Sequence, residues 1–456
     1  MILKKKLKLF GIKDIYQVPQ LDKLSKDQKE GLFVVSHILP FRTNNYVVEE
    51  LIDWENIPDD PIYQLNFLQK EMLSEEHYSQ IKENIDAKVE QSKLNSAISK
   101  IRHELNPHPA GQLTSNVPFY EGDPVSGIQH KYKETCLIFP SQGQTCHAYC
   151  TFCFRWPQFI GNNDLKFATD ESNRFQEYIK THKELTNVLI TGGDPMIMTS
   201  SRLEKYLLPF IKPGFEHIHT IRIGTKALGY WPYRFVTDPD SDEILRLFEK
   251  VVKSGKSLAI MAHFNHWVEL STPVVKEAIR RIRSTGATIR SQSPLIKHIN
   301  DDSTIWSRMW KEQVRLGIIP YYMFIERDTG PHEYFSIPIY KAFEIFRNAY
   351  TKVSGLARTV RGPSMSATPG KVVVDGITVI NGEKLFLLNF IQGRNPSWVK
   401  KPFFAKYSET ATWLNQLQPG LGEKRFFYED EPKYSSMTLM KNEDVRGIEG
   451  KFRAKL

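Results

Sequence analysis

Six short apolar runs alternate with amphipathic segments between residues 134 and 326, and this alternation constrains the fold more than any other feature. The runs are TCLIFPSQ, NVLITGG, IHTIRIGT, SLAIMAHF, TIRSQSPLI and IIPYYMFIE. The segments between them include DSDEILRLFEKVVKSG and TPVVKEAIRRIRSTG, which have the spacing of amphipathic helices. Alternating strands and helices predict parallel βα units with ligands at the carboxyl ends of the strands. Because six units are too few for a closed eight-unit barrel, we expect an α/β fold, either a partial (β/α)6 barrel or a doubly wound sheet.

The flanking regions differ from the central one in their residue composition and spacing. Residues 1–106 are polar and charged with helical spacing, as in LNFLQKEMLSEEHYSQIKENI, and predict a mostly helical accessory region. The stretch NPHPAGQLTSNVPFYEGDPVSG is rich in Pro and Gly and predicts an irregular connector into a central domain over 107–352. In the C-terminal region, 353–456, VVVDGITVINGEKLFLLNF predicts a β-hairpin that turns at Asn381 and Gly382.

The composition excludes several classes of protein. A chain of 456 residues that is 41% hydrophobic can bury a sizeable core without disulfides. Only four cysteines are present and three are clustered, which favours a reducing compartment, and we expect the cytoplasm. No signal peptide or membrane-length apolar run is present. The net charge of +9 is spread among 52 acidic residues, so we expect neither a nucleic acid nor a membrane as partner.

The stretch TCHAYCTFCFRW carries the three clustered cysteines, Cys146, Cys150 and Cys153, directly after the first predicted strand. Their spacing matches neither a four-ligand zinc site nor the four-cysteine run of a ferredoxin. Three thiolates on a [4Fe–4S] cluster leave one iron open for another ligand. Cys136 lies within the strand itself and is predicted to be a buried apolar residue rather than a fourth ligand.

This CxxxCxΦC pattern, in which Φ is the aromatic Phe152, resembles the signature of the radical S-adenosylmethionine superfamily. The resemblance implies that the open iron is chelated by the amino and carboxylate groups of S-adenosylmethionine, with Phe152 near its adenine. The second predicted strand ends in TGGDPM, which resembles the segment that meets the amino group of S-adenosylmethionine in that superfamily. Gly192 and Gly193 would allow close approach of the backbone, and Asp194 would accept from the ammonium.

Six blocks, in order from about Asp123 to Pro338, resemble the lysine 2,3-aminomutase family within that superfamily. They are GIQHKYKETCLIFPSQGQTCHAYCTFCFRW, NVLITGGDPM, IRIGTKALGYWPYRF, MAHFNHWVE, RSQSPLIKHINDD and PYYMFIERDTGPHEYFSIPI. The resemblance implies that Arg155 meets the carboxylate of the substrate and that Asp301 grips a distal ammonium. His263, His266 and Gln292 match polar strand-end positions, which either contact ligands or satisfy one another.

The resemblance weakens at the glycine-rich loop that carries the pyridoxal phosphate lysine of this family. In VSGLARTVRGPSMSATPGKVVVDG that loop has no clear counterpart, and Lys371 is interpreted as a strand-start residue. A rival alignment places the cofactor lysine at Lys384 and a substrate-binding aspartate at Asp375. Thr151 replaces an arginine that the aminomutases have between the second and third cysteines. The sequence therefore puts pyridoxal phosphate, and lysine as substrate, in doubt.

The predicted function is reductive cleavage of S-adenosylmethionine by a [4Fe–4S] cluster, followed by hydrogen abstraction from a small polar substrate such as an amino acid. The reductant would be a protein such as flavodoxin or ferredoxin, and the oligomeric state stays open. The alternatives are a pyridoxal phosphate-dependent amino acid 2,3-aminomutase, a non-catalytic iron–sulfur redox or sensor protein, and a zinc-stabilised nucleic-acid-binding protein. Arg361, in the segment where the family has a substrate aspartate, hints at an anionic substrate group.

Overall fold

A computed structural model describes residues 2–108, 113, 116–161, 167–169 and 172–429. The N-terminal region contains four α-helices. Its helices are α1 (Lys26–Val35), α2 (Pro61–Asn66), α3 (Glu75–Asp86) and α4 (Gln91–Glu104). Two short antiparallel pairs lie beside them, β1 (Leu9–Phe10) with β2 (Thr43–Asn44) and β3 (Phe119–Tyr120) with β4 (Asp123–Pro124). The side chains of Ser25, Asp60 and Ser74 cap the first three helices, which fixes where these helices begin.

A single eleven-stranded sheet forms the rest of the scaffold. Its strands are β5 (Ile128–Tyr132), β6 (Thr135–Ile138), β7 (Asn187–Ile190), β8 (Thr220–Thr225), β9 (Ser257–His263), β10 (Thr288–Leu295), β11 (Ile319–Ile325), β12 (Arg361–Ser366), β13 (Gly370–Ile380), β14 (Glu383–Gly393) and β15 (Pro402–Lys406). They pair in chain order. Strands β6 to β12 run parallel, whereas β5 and β13 to β15 are added antiparallel at the two ends.

The six predicted strands are β6 to β11, and all pair in parallel as expected. The predicted helices between them are also present. The helices of this part are α5 (Ser172–Thr181), α6 (Ser200–Leu207), α7 (Ala227–Tyr230), α8 (Ser241–Lys253), α9 (Pro273–Ser284), α10 (Ser303–Arg315), α11 (His332–Phe335) and α12 (Ile339–Thr351). In α8 the apolar Ile244, Phe248 and Val251 recur on one face and are fully buried against the sheet.

The strand order follows the chain without reversal, unlike a doubly wound sheet. Strand β12, RGPSMS, is a seventh parallel strand that the sequence did not predict. It pairs with β11 through Tyr322 opposite Arg361. Closure of this sheet into a partial barrel stays a prediction.

The predicted hairpin is formed by β13 and β14. Asn381 and Gly382 turn between them with φ of 51° and 82°. Two consecutive positive φ values are those of a type I′ turn, whose twist matches that of the flanking strands.

The N-terminal region packs directly against the cysteine loop. Leu65 and Phe67 belong to the same buried apolar cluster as Ala148 and Trp156 of that loop. The Thr151 backbone N–H donates to the Leu65 carbonyl over 3.0 Å. The loop is therefore supported from outside the sheet as well as by β6. None of the helices within the described part of the chain is both long and apolar enough to span a bilayer.

Candidate active site

A cavity of ≈ 340 Å³ opens at the carboxyl ends of the parallel strands. Its wall includes all three clustered cysteines, both glycines of the TGGDPM segment, and residues of strands β5 to β14. The sequence predicted ligands at this edge of the sheet, and the predicted residues Phe152, Arg155, His263 and Gln292 also lie on the wall.

The three cysteines are free thiols on a tight loop. The Cys153 N–H donates to the Cys150 carbonyl over 3.1 Å, and the Cys150 Sγ lies 3.0 Å from the Tyr230 hydroxyl. Burial raises the pKa of each thiol, and the other cysteines raise that of Cys146 further. A bound cation would reverse this, since coordinating thiols are deprotonated.

Within the described residues, no three histidine, cysteine or acidic side chains form a group that could hold one metal ion. A [4Fe–4S] cluster requires a different arrangement, because each thiolate binds a separate iron. Three free thiols on one cavity wall fit a cluster held by three thiolates. Cys136 is fully buried in β6, as predicted.

The glycines of the second loop are in van der Waals contact with the cysteine loop. A Cβ on Gly193 would lie 2.5 Å from the Thr145 backbone nitrogen, and one on Gly192 would lie 2.2 Å from the Gln144 amide nitrogen. The Asp194 N–H donates to the carbonyls of Gly143 and Thr145 over 3.0 and 2.7 Å. The two loops therefore form one joined surface beside the cavity. Gly193 has no room for a side chain, whereas at Gly192 a side chain would displace the end of the Gln144 side chain and would have to adopt a φ of 150°.

The Asp194 carboxylate is bound by the protein itself. Its Oδ1 accepts from the Met196 N–H over 2.9 Å and from the Thr225 hydroxyl over 2.6 Å, and its Oδ2 accepts from the Lys226 N–H over 2.9 Å. Burial raises its pKa to about 6. The carboxylate is not among the groups that line the cavity, so these contacts give Asp194 a positioning role between two loops. Contact with an ammonium stays a prediction.

Arg155 is buried on the wall and stacks over the Phe139 ring at 4.6 Å. Its Nη2 donates to the Gln144 amide oxygen over 3.0 Å, whereas its Nε has no hydrogen-bond partner among the described residues. Burial lowers the pKa of its guanidinium to about 10. A buried guanidinium with a spare N–H and no paired carboxylate in this part of the chain is suited to an incoming carboxylate.

His263 and Gln292 lie on adjacent strands, and their side-chain nitrogens are 2.8 Å apart. Burial and the nearby Lys226 lower the pKa of His263 to about 4, so the imidazole is neutral. Both side chains satisfy each other and still face the cavity. His266 instead caps a short turn, where its Nδ1 accepts from the Val268 N–H over 3.4 Å.

Phe152 and Asp301 differ in where the structure places them. Phe152 lies on the wall and packs edge-to-face on Phe335 at 6.4 Å. Asp301 is exposed beyond the end of β10 and does not line the cavity. The structure therefore does not bring Asp301 to the site, where it was expected to bind a distal ammonium.

A buried ion pair beside the cavity was missed by the sequence analysis. The Lys226 Nζ donates to Glu269 over 2.6 Å and to Asn265 over 2.7 Å. Glu269 is fully buried and also accepts from the N–H groups of Asn265 and His266. The partners are separated by 43 residues. The sequence feature that could have indicated this pair is a lysine directly after the end of a strand.

Lys371 is the second residue of β13, which agrees with its predicted strand-start position, but its side chain reaches the cavity wall. Its Nζ lies 4.0 Å from the centre of the Tyr322 ring. Burial, with Arg222 and Arg361 nearby, lowers the pKa of its ammonium to about 7. The rival lysine, Lys384, lies over the Tyr407 ring near the hairpin turn and does not line the cavity.

Comparison with known proteins bears on the family of the chain. No protein-family model matches the chain. A putative L-lysine 2,3-aminomutase of Aquifex aeolicus is 33% identical over 368 residues, covering 80% of this chain and 86% of that protein. The L-lysine 2,3-aminomutase of Bacillus subtilis is 25% identical over 80% of this chain and 68% of that protein. The glutamate 2,3-aminomutase of Clostridioides difficile is 27% identical over 52% of each chain.

Among solved structures, a radical SAM methyltransferase from Sphaerobacter thermophilus aligns with 77% of this chain and 93% of its own, at 11% identity and a TM-score of 0.36. The identity and coverage of the Aquifex relative decide the assignment. The chain belongs to the lysine 2,3-aminomutase family of radical S-adenosylmethionine enzymes.

Proposed function

We propose that this enzyme cleaves S-adenosylmethionine at a [4Fe–4S] cluster and abstracts hydrogen from an amino acid. The observation that carries the proposal is that the three cysteines, Gly192, Gly193 and Arg155 share one cavity wall. When bound, the cluster and S-adenosylmethionine supply a one-electron reductive cleavage that yields the 5′-deoxyadenosyl radical.

The roles of the protein groups follow from their positions. Cys146, Cys150 and Cys153 would hold the cluster. The backbone of Gly192 and Gly193 would approach the amino group of S-adenosylmethionine, while Phe152 would pack near its adenine. Arg155 would bind the carboxylate of the substrate with its guanidinium, whose Nε–H has no partner among the described residues.

We further propose that the parallel strands form the wall of a partial barrel, with the regions 1–106 and 353–456 packed around the central domain. The proposed reductant is a small electron-transfer protein such as flavodoxin or ferredoxin.

A second candidate function is a pyridoxal phosphate-dependent 2,3-aminomutase, and the placement of Lys371 favours it. A lysine whose pKa is about 7 is largely a free amine at slightly alkaline pH. It also faces the same cavity as the cysteines. If pyridoxal phosphate binds, Lys371 is the anchor supported by geometry, and Lys384 is not.

A borohydride trap tests both candidates in one preparation. Anaerobically reconstituted protein is incubated with S-adenosylmethionine and pyridoxal phosphate, reduced with borohydride and analysed by peptide mass. We expect a pyridoxyl adduct on Lys371 that is absent in Lys371→Ala and unchanged in Lys384→Ala. In parallel, dithionite should release 5′-deoxyadenosine.

Each outcome of this experiment supports a different candidate function. An adduct on Lys384 alone would contradict the placement of the cofactor at Lys371. Absence of any adduct, with 5′-deoxyadenosine still formed, would leave a radical enzyme without pyridoxal phosphate. An electron paramagnetic resonance signal that ignores S-adenosylmethionine would instead support a non-catalytic redox or sensor protein.

A further inference from the structure

One carboxylate lies on the cavity wall. It belongs to Glu326, which directly follows β11 and is the only acidic side chain that lines the cavity within the described residues. Burial and the nearby Lys226 lower the pKa of His263 to about 4, which makes its imidazole a weak base. Glu269 is fully buried and does not line the cavity. Glu326 is therefore the carboxylate placed to exchange a proton with a ligand in the cavity.

The segment that carries Glu326 is fastened to the cysteine loop. The Trp156 indole N–H donates to the Thr329 hydroxyl over 3.3 Å, and a Cβ on Gly330 would lie 3.1 Å from the Trp156 ring. Trp156 directly follows Arg155, which is proposed to bind the carboxylate of the substrate. The amino group of an amino acid is attached next to its carboxylate, so a substrate held by Arg155 brings its ammonium into the cavity that Glu326 lines.

His332 holds the Glu326 carboxylate from behind. The Gln416 Oε1 accepts from the Thr412 N–H over 2.7 Å and from the Thr412 hydroxyl over 3.2 Å. Because that hydroxyl donates to Gln416, it accepts from the His332 Nε2–H over 3.2 Å. The His332 Nδ1 lies 2.8 Å from the Glu326 Oε2 and 3.1 Å from the Arg327 carbonyl oxygen, so a proton lies between Nδ1 and Oε2. No described residue donates to the Oε1.

Glu326 and His332 share this proton near neutral pH. Burial raises the pKa of Glu326 to about 7, the hydrogen bond from His332 lowers it, and Asp328 raises it. Burial lowers the pKa of His332, but Glu326 more than offsets this, so the pKa of His332 is raised. The other charged groups beside the pair are Arg327 and His108, which is paired with Asp328 over 3.0 Å. A carboxyl group with a pKa near the working pH is suited to take up and return a proton.

We propose that Glu326 is a catalytic acid–base group of this enzyme and that His332 is its positioning residue. This inference rests on the second candidate function, in which an amino group moves between neighbouring carbons. An ammonium has no electron pair for a new bond, so the substrate nitrogen must first lose a proton. An N–H bond breaks, its electron pair stays on nitrogen, and an O–H bond forms on Glu326. The reverse transfer to the product leaves the protonation of the enzyme unchanged, as an isomerisation requires.

The competing role of the pair is structural. His332 joins the end of β11 to the segment after β15 through Thr412, and this connection alone would stabilise the fold. A structural pair predicts that its variants lose stability without any change in the pH dependence of turnover. An acid–base pair predicts that the pH dependence changes.

The first measurement needs no substrate. Infrared difference spectra of the reconstituted protein at several pH values report the protonation of buried carboxyl groups. We expect one such group with a midpoint at about pH 7, absent in Glu326→Gln. The control is Glu104→Gln, which breaks an exposed carboxylate–histidine pair of the same 2.8 Å length with His77 and should keep the signal. In His332→Phe the midpoint should move to higher pH, because His332 lowers the pKa of Glu326.

The second measurement is turnover with S-adenosylmethionine, pyridoxal phosphate and dithionite. The probes are L-lysine and L-glutamate, the amino acids for which the relatives are named. Glu326→Gln should lower kcat by ~100-fold or more, with KM and iron content near those of the parent. In the parent, kcat should rise with pH through the infrared midpoint, because only the carboxylate accepts a proton. Glu326→Gln should lose this rise, and His332→Phe should shift it to higher pH.

The titration of the parent and the shift in His332→Phe do not depend on whether Glu326→Gln folds. No carboxyl group with a midpoint near pH 7, a kcat in Glu326→Gln close to that of the parent, or the same pH profile in His332→Phe would each overturn the inference. If the carboxyl group titrates as expected and neither probe gives a product with a migrated amino group, the aminomutase function is refuted, and the role of Glu326 in it falls with it.

Discussion

Lys226 and Lys371 line the same cavity in opposite electrostatic surroundings. Lys226 has a fully buried carboxylate partner, Glu269, and an amide oxygen from Asn265. Lys371 has aromatic rings, with Arg222 and Arg361 nearby, and no ion pair within the described residues.

The difference distinguishes a lysine that stabilises the structure from one that can react. A buried lysine that donates to a carboxylate and an amide ties together the loops that carry its partners. A buried lysine among other cations has its neutral form favoured, and a neutral amine is a nucleophile. The first group stabilises the site, and the second is available to a ligand.

Removing the partner of Lys226 should have the largest effect on stability. Glu269→Gln leaves a buried ammonium unpaired and should lower the free energy of unfolding by about 3 kcal/mol. Urea denaturation measures this. The control is Glu243→Gln, an exposed partner of Arg246, which should cost less than about 0.5 kcal/mol. If both variants lowered the free energy of unfolding by the same small amount, the pairing of Lys226 with Glu269 would not stabilise the fold.

Removing Lys371 should have a smaller effect of opposite sign. Lys371→Met should raise the free energy of unfolding near pH 6 by about 1 kcal/mol, because an unpaired buried charge is replaced by an apolar group. Urea denaturation at several pH values provides the measurement.

The pH dependence of this difference follows from the pKa of Lys371. Its pKa is lowered from 10.5 to about 7 in the folded protein. Between these values the unfolded chain binds more protons than the folded one, so this lysine makes stability rise with pH. Lys371→Met should remove that rise, and its advantage over the parent should shrink from pH 7 towards 10.5. An advantage that stays constant with pH would contradict the lowered pKa.

The smallest effect concerns Tyr230, which contacts both Lys226 and the cysteine loop. The Tyr230 ring lies 4.5 Å from the Lys226 Nζ, and its hydroxyl is 3.0 Å from the Cys150 Sγ. Hydrogen bonds to cluster sulfurs raise the reduction potential. Tyr230→Phe should therefore lower the potential in an electron paramagnetic resonance titration and leave the iron content unchanged.

Tyr233→Phe provides the matched control, because the Tyr233 hydroxyl donates to Glu50 instead. Its potential should equal that of the parent. If both variants shift the potential equally, the hydroxyl of Tyr230 has no specific effect on the cysteine loop.

The sequence predicted the parts of the fold whose signal is local. Strands β6 to β11 are apolar runs, and the hairpin has an Asn-Gly turn. Strand β12 was missed because RGPSMS contains one large apolar residue, Met365, and its burial between β11 and β13 comes from the tertiary fold.

The site was predictable to a similar degree. The cysteines, the two glycines and Arg155 lie within short motifs, and the structure brings them to one wall. The partnership of Lys226 with Glu269 and the approach of Lys371 to the cavity depend on pairings between distant strands. Asp301 matched a family position by its neighbours in sequence, and yet it is exposed and does not line the cavity.

The contact between Gly193 and Thr145 makes the two loops one structural unit. The TGGDPM segment packs on the cysteine loop, and the carbonyls of Gly143 and Thr145 accept from the Asp194 N–H. Because a Cβ on Gly193 would meet the Thr145 backbone, a side chain there would push the two loops apart. A substitution in one loop is therefore transmitted to the other, so the two loops can change only together.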